Sequence, residues 1–83
     1  MVVRGRVQGV FFRDETRRRA RSLGVAGWVA NRPDGAVEAV FESRRDAVES
    51  MVQWCHRGPS GGRVDNVQVT WEEPGGEDGF AVR

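Results

Sequence analysis

Residues 5–13 read Gly5-Arg6-Val7-Gln8-Gly9-Val10-Phe11-Phe12-Arg13, and the reading of this stretch decides the fold. Upstream, Val3, Gly5 and Val7 alternate with Arg4 and Arg6, the period of a strand with one buried face. Downstream, Phe12, Thr16, Ala20 and Leu23 recur every three or four residues with arginines between them, the period of an amphipathic helix. The pattern changes from strand to helix through a turn at Gly9. Glycine there lets the backbone take positive φ and approach a ligand closely. The first N–H groups of the helix have no internal partner, and such groups seat phosphate well. An arginine in that first turn is unfavourable to the macrodipole by about 0.3–1 kcal/mol, and a bound anion would reverse the balance. Two readings fit: an oxyanion cradle closed by Arg13, or a tight turn with a solvated arginine. Spacing alone does not choose, because short glycine motifs are weak signals.

The rest of the chain continues the alternation of elements. Gly24 is a plausible stop for the first helix. Val25 to Asn31 is a second apolar, strand-like run. Asn31-Arg32-Pro33-Asp34-Gly35 is a turn, with Pro33 presetting φ and Gly35 supplying the permissive position. Ala36 to Glu42 alternates again, which completes a β-hairpin. Ser43 reads as the N-cap of a second helix, with Asp46 in its first turn. Ala47, Val48, Met51, Val52 and Cys55 give that helix its buried stripe. Gly58 to Gly62 ends it. Val64 to Glu72 reads as a further strand, with Val67, Val69 and Trp71 on one face. Phe80-Ala81-Val82 adds a short terminal strand.

The order β-α-β-β-α-β is the split βαβ, or ferredoxin-like, arrangement. Right-handed crossovers put both helices on one face of an antiparallel four-stranded sheet, with a short fifth strand possible. The first and second strands then run parallel with the third between them. Their C-terminal ends share one edge, so the topology brings Arg13 and Asn31 to the same side of the sheet.

Composition limits what else this chain can be. At 83 residues it is expected to form one domain, 1–83. No apolar run approaches the roughly 18 residues of a membrane span. The lone Cys55 cannot form an internal disulfide, no Cys/His cluster has metal spacing, and a reducing cytoplasm is the default setting. The net charge of +1 gives no global pull toward nucleic acid. Arg17, Arg18, Arg19 and Arg21 form the densest basic cluster and read as the wet face of a helix rather than a nucleic-acid footprint.

Two motifs now carry a family resemblance: Gly5-x-Val7-Gln8-Gly9-Val10-Phe11-Phe12-Arg13 and Gly27-Trp28-Val29-x-Asn31-x-x-x-Gly35. Together, in this order and over almost the whole chain, they resemble the acylphosphatases. The resemblance implies hydrolysis of a carboxyl–phosphate mixed anhydride to carboxylate and inorganic phosphate by direct attack of water, with no metal, no cofactor and no covalent phosphoenzyme. It implies that Arg13 binds the phosphoryl group together with the backbone of Gln8, Gly9, Val10, Phe11 and Phe12, and that Asn31 positions the water. Thr16 matches a family threonine; its hydroxyl could support the site or pack the helix. The expected partners are small-molecule acyl phosphates and inorganic phosphate, with no nucleic acid and no membrane, and the expected state is a monomer. Ala36 stands where many relatives carry threonine, so hydroxyl support is absent there.

Other residues have simpler readings. His56 suits the C-terminal end of the second helix, Asp34 suits its turn, and Trp54 and Trp71 read as packing residues. Asp14 and Glu15 complement the helix dipole but must point away from a bound dianion. The alternative function is a ferredoxin-like module that binds an anion or RNA without catalysis. RNA-binding modules of this topology expose aromatics on their central strands, whereas these strand faces offer mainly Arg4, Arg6, Glu38, Glu42 and Gln68. A pure binder would not need Asn31.

Overall fold

A computed structural model describes residues 1–83. The elements are β1 (Val2–Arg6), α1 (Phe12–Leu23), β2 (Ala26–Asn31), β3 (Val37–Glu42), α2 (Arg45–Arg57), β4 (Arg63–Gln68) and β5 (Phe80–Val82). The sheet order is β4-β1-β3-β2-β5. The four long strands pair antiparallel, and β5 adds to β2 in parallel, so the sheet as a whole is mixed. The expected ferredoxin-like fold is present, including its short fifth strand.

One core joins the helices to the sheet. Phe12 and Ala20 of α1 and Met51, Trp54 and Cys55 of α2 pack on Val3, Val29, Val37, Ala39 and Phe80. The Phe12 and Trp54 rings meet with centroids 5.3 Å apart and planes tilted by 50°, a geometry aromatic pairs favour. On α1, Phe12, Thr16 and Ala20 are buried, four residues apart, as the periodicity predicts. Gly24 ends the helix in the left-handed conformation, and Val25 N–H closes the turn on the Ala20 carbonyl at 2.8 Å, the pattern of a Schellman stop.

Three sequence expectations need correction. The N-cap of α2 is Arg44, not Ser43, and no side chain caps it there; Asp46 does occupy the first turn. β4 ends at Gln68 rather than Glu72. Its partner β1 begins at Val2, which pairs with Gln68, so the alternation of Val69 and Trp71 has no strand to bond. Trp71 is accordingly exposed and lies against the Arg45 guanidinium at 4.8 Å. Finally, the α2 stripe includes Trp54, which is buried, while Ala47 and Val52 are only half-buried.

The family motif Gly27-Trp28-Val29 has a steric basis in β2. Gly27 sits at φ 137°, and a methyl group there would lie 1.8 Å from the Val40 carbonyl oxygen. Nothing but glycine allows β2 and β3 to approach this closely at that point. β2 thereby reaches its last residue, Asn31, in register with Val37, which is itself paired with Val3 of β1.

Candidate active site

The C-terminal ends of β1 and β2 lie on one edge, because β3 runs between them in the opposite direction. The loop from Val7 to Phe11 leaves β1 at that edge and turns into α1. Val7 is fully buried and anchors the loop, while Gly9 and Phe11 adopt positive φ, 75° and 65°. The first bond of α1 runs from Glu15 N–H to the Phe11 carbonyl. No backbone carbonyl accepts from the N–H groups of Gln8, Gly9, Val10 or Phe11. The α1 N-cap has no side-chain bond either. The loop and the first turn therefore present a run of open donors beside a positive helix end, a combination suited to an anion.

A cleft of about 460 Å³ opens at this place. Val7, Gly9, Phe11, Phe12, Arg13, Asp14, Arg17, Asn31 and Val82 line it. The structure thus brings Arg13 and Asn31 into one cleft with part of the loop. Gln8 and Val10 stay outside its lining, although their backbone belongs to the same turn. Thr16 is fully buried, and its hydroxyl donates to the Phe12 carbonyl at 2.7 Å within its own helix. Its contact is with the first turn of α1 and not with the cleft. Arg13 is half-buried, and its Nη1 donates to the Arg83 carbonyl at 3.4 Å. The Asp14 carboxylate turns down the helix to Arg17 at 2.8 Å and Arg18 at 4.0 Å. It touches the cleft, but its charge is compensated there.

The side chain of Gln8 has a role that sequence reasoning missed. Its Nε2 donates to the Arg32 carbonyl at 2.8 Å and to the Ala36 carbonyl at 2.9 Å. These bonds tie the loop directly to the β2–β3 turn that follows Asn31. The turn is further held by Arg32 N–H on the Ala36 carbonyl at 2.8 Å, Gly35 N–H on the Arg32 carbonyl at 3.1 Å, and Ala36 N–H on Asp34 Oδ1 at 3.1 Å. Asp34 also pairs with Arg4 at 3.1 Å and Arg32 at 3.3 Å. The Ala36 N–H holds the Asp34 carboxyl below its ordinary value; desolvation opposes it, and the two arginines add to the lowering. Asn31 thus projects from a strand end whose next five residues are braced. Two further cleft residues, Arg17 and Val82, were also missed. Arg17 could have been found from helical spacing, because it follows Arg13 by four residues. Val82 could not, because its place depends on the parallel pairing of β5.

The remaining chemistry-bearing residues lie elsewhere. His56 is exposed, with its Nδ1 3.0 Å from the Val52 carbonyl of its own helix. Cys55 is buried, and desolvation pushes its thiol up to about 12. No three His, Cys, Asp or Glu side chains come together as a metal site. No helix is long and apolar enough to cross a membrane.

Comparison with known proteins identifies the family. The acylphosphatase family model matches residues 1–82. The chain is 63% identical over 83 residues to an acylphosphatase of Rubrobacter xylanophilus, covering 98% of this chain and 74% of the relative. It is 54% identical to one from Pelotomaculum thermopropionicum, with 99% and 90% covered. Among solved structures, the acylphosphatase of Bacillus subtilis superposes with a TM-score of 0.94 at 36% identity, over 99% of this chain and 92% of that one. A strand-to-helix turn with open backbone donors, an arginine in the first turn of that helix, an asparagine at the end of β2 on the same edge and matches of this extent lead to one statement: the chain belongs to the acylphosphatase family.

Proposed function

We propose that this acylphosphatase hydrolyses acyl phosphates with Arg13 and the amides of Gln8 through Phe12 holding the phosphoryl group and Asn31 holding the water. The observation that carries the assignment is that Arg13 and Asn31, from separate elements, line one cleft beside Gly9 and Phe11. Phosphoryl transfer needs positioning and charge stabilisation more than covalent help. A guanidinium and a fan of backbone N–H groups supply both. They also provide the positive charge that a metal would otherwise bring. The leaving group is a carboxylate, a weak base that departs without a general acid. Asn31 can accept from and donate to water through its amide. Held in line, the water forms the new P–O bond as the bond to the acyl oxygen breaks and its electron pair leaves with the carboxylate. The water proton ends on inorganic phosphate.

The substrates are small acyl phosphates, and the products include inorganic phosphate. We place the protein in a reducing cytoplasm as a monomer without a nucleic-acid partner. The buried, unpaired thiol of Cys55 and the pairing of Arg17 and Arg18 with Asp14 support this setting.

Phosphate release from benzoyl phosphate tests the assignment. Arg13→Ala is expected to lower kcat/KM by about 1,000-fold. Asn31→Ala is expected to lower kcat by about 100-fold or more while competitive inhibition by inorganic phosphate persists. A folded Arg13→Ala protein with undiminished turnover would overturn the assignment.

A further inference from the structure

Four apolar side chains line the cleft: Val7, Phe11, Phe12 and Val82. Two of them belong to the core, with Val7 only 1% and Phe12 only 2% exposed. Phe11 is 79% exposed and Val82 41%. Apolar surface available to a ligand therefore comes from these two, and mostly from the Phe11 ring.

Phe11 is also the only non-glycine residue with positive φ. That backbone region is costly for a bulky side chain and open to glycine. An exposed ring returns no burial energy to the fold. Glycine would therefore serve the loop's own geometry better, and the ring at this position needs a reason outside the fold. The residue lines the cleft, and it lines a neighbouring one with Arg6, Val10 and Arg18 as well.

The chemistry supplies that reason. With the phosphoryl group on the loop amides and the water opposite the leaving oxygen, the acyl group points out of the seat toward the exposed lining. We propose that the Phe11 ring, with Val82 of the same cleft, is the platform for the acyl group and selects acyl phosphates with flat apolar acyl groups over small ones. This inference rests on the assignment of Arg13 and Asn31. A benzoyl group covers the ring face; an acetyl group is too small to do so. An aromatic contact of this kind changes relative binding by about two- to tenfold.

The test is the ratio of kcat/KM for benzoyl phosphate to that for acetyl phosphate. The phosphate seat is common to both substrates, so the ratio cancels any disturbance of the Phe11 amide. Phe11→Gly keeps positive φ accessible, and Phe11→Asn does so with a polar side chain, so a folded variant is available either way. In both variants the ratio is expected to fall about fivefold. A ratio that stays within about twofold of the wild type, or rises, overturns the inference. Arg13→Ala measured alongside separates the two failures. If it is inactive while the Phe11 ratio is unchanged, the platform alone is wrong. If it turns over both substrates normally, the site assignment fails and the platform with it.

Discussion

The two helices of this protein begin in opposite ways. The second residue of α2 is Asp46, whose carboxylate accepts from Ala47 N–H at 2.9 Å and from Arg44 Nε and Nη2 at 3.3 and 3.0 Å. The helix end has its anion in the chain itself. The second residue of α1 is Arg13, and the residue before the helix, Phe11, is left-handed and offers no cap. The nearest carboxylate, Asp14, is turned away to Arg17. Both helices carry carboxylates in the first turn, Asp14 and Glu15 in α1 and Asp46 in α2, yet only Asp46 accepts from a backbone N–H. A helix start stays open to an anion when the carboxylates near it bond elsewhere, as Asp14 does with Arg17, and leave its N–H groups free.

Exchanging the two second positions breaks the contrast most directly. Arg13→Asp gives α1 the carboxylate that α2 already has. Activity on benzoyl phosphate is expected to fall by at least about 1,000-fold, because an anion then occupies the phosphate seat. Thermal stability is expected to rise, by about 0.3–1 kcal/mol, because a positive charge unfavourable to the dipole gives way to a negative one. Loss of activity together with a lower melting temperature would mean that Arg13 is structural and would remove the contrast.

Gln8 sharpens the comparison next, because the open helix start is braced by a side chain rather than capped. Gln8→Ala removes both bonds to the β2–β3 turn and leaves the Arg32 and Ala36 carbonyls without that donor. About 2 kcal/mol of stability is expected to go with them. The expected kinetic effect is a drop in kcat of about tenfold or more with a smaller change in KM, because Asn31 loses its fixed relation to the loop. An equal loss in a melting temperature with kcat unchanged would make the brace purely structural. The corresponding change at the filled helix, Asp46→Ala, is smaller: about 0.3–1 kcal/mol of stability and no change in turnover. A kinetic effect there would show that α2 communicates with the site.

These contrasts were partly legible in the sequence. The strand-to-helix change at Gly9 and the hairpin turn at Pro33–Gly35 are local, so periodicity and turn chemistry expose them. The shared edge of Arg13 and Asn31 followed from topology alone. The side chain of Gln8 was not legible, because its acceptors lie 24 and 28 residues away and nothing local marks a glutamine as a tether. The end of β4 was misread because alternation persists through Val69 and Trp71, whereas a strand also needs a partner, and β1 supplies none beyond the Val2–Gln68 pair. Ser43 is a good cap type, but the helix begins one residue later than that assignment requires, and Asp46 supplies the carboxylate. At Gln8 and at the end of β4 a distant stretch of backbone decided what local chemistry left open; at Ser43 two local signals competed.

The smallest effect separates the two ends by pH. A carboxyl whose folded-state pKa is lowered contributes stability above its unfolded value and loses it as pH falls through the folded value. Asp34, in the turn beside Asn31, is lowered chiefly by the Ala36 N–H, and Asp65, on the edge strand β4, by Arg63. Both start from an ordinary value of 3.8, so both contributions are present at neutral pH and fade below about pH 4. Urea midpoints between about pH 6 and pH 3 are expected to fall less steeply in Asp34→Asn and in Asp65→Asn than in the wild type. Turnover distinguishes them. Asp34 braces the turn that carries Asn31, so Asp34→Asn is expected to lower kcat at neutral pH by about twofold, while Asp65→Asn leaves it alone. Both ion pairs are exposed and worth little as charge. If the two variants have equal kcat, Asp34 contributes only to stability, and bracing of the open helix start ends at Gln8.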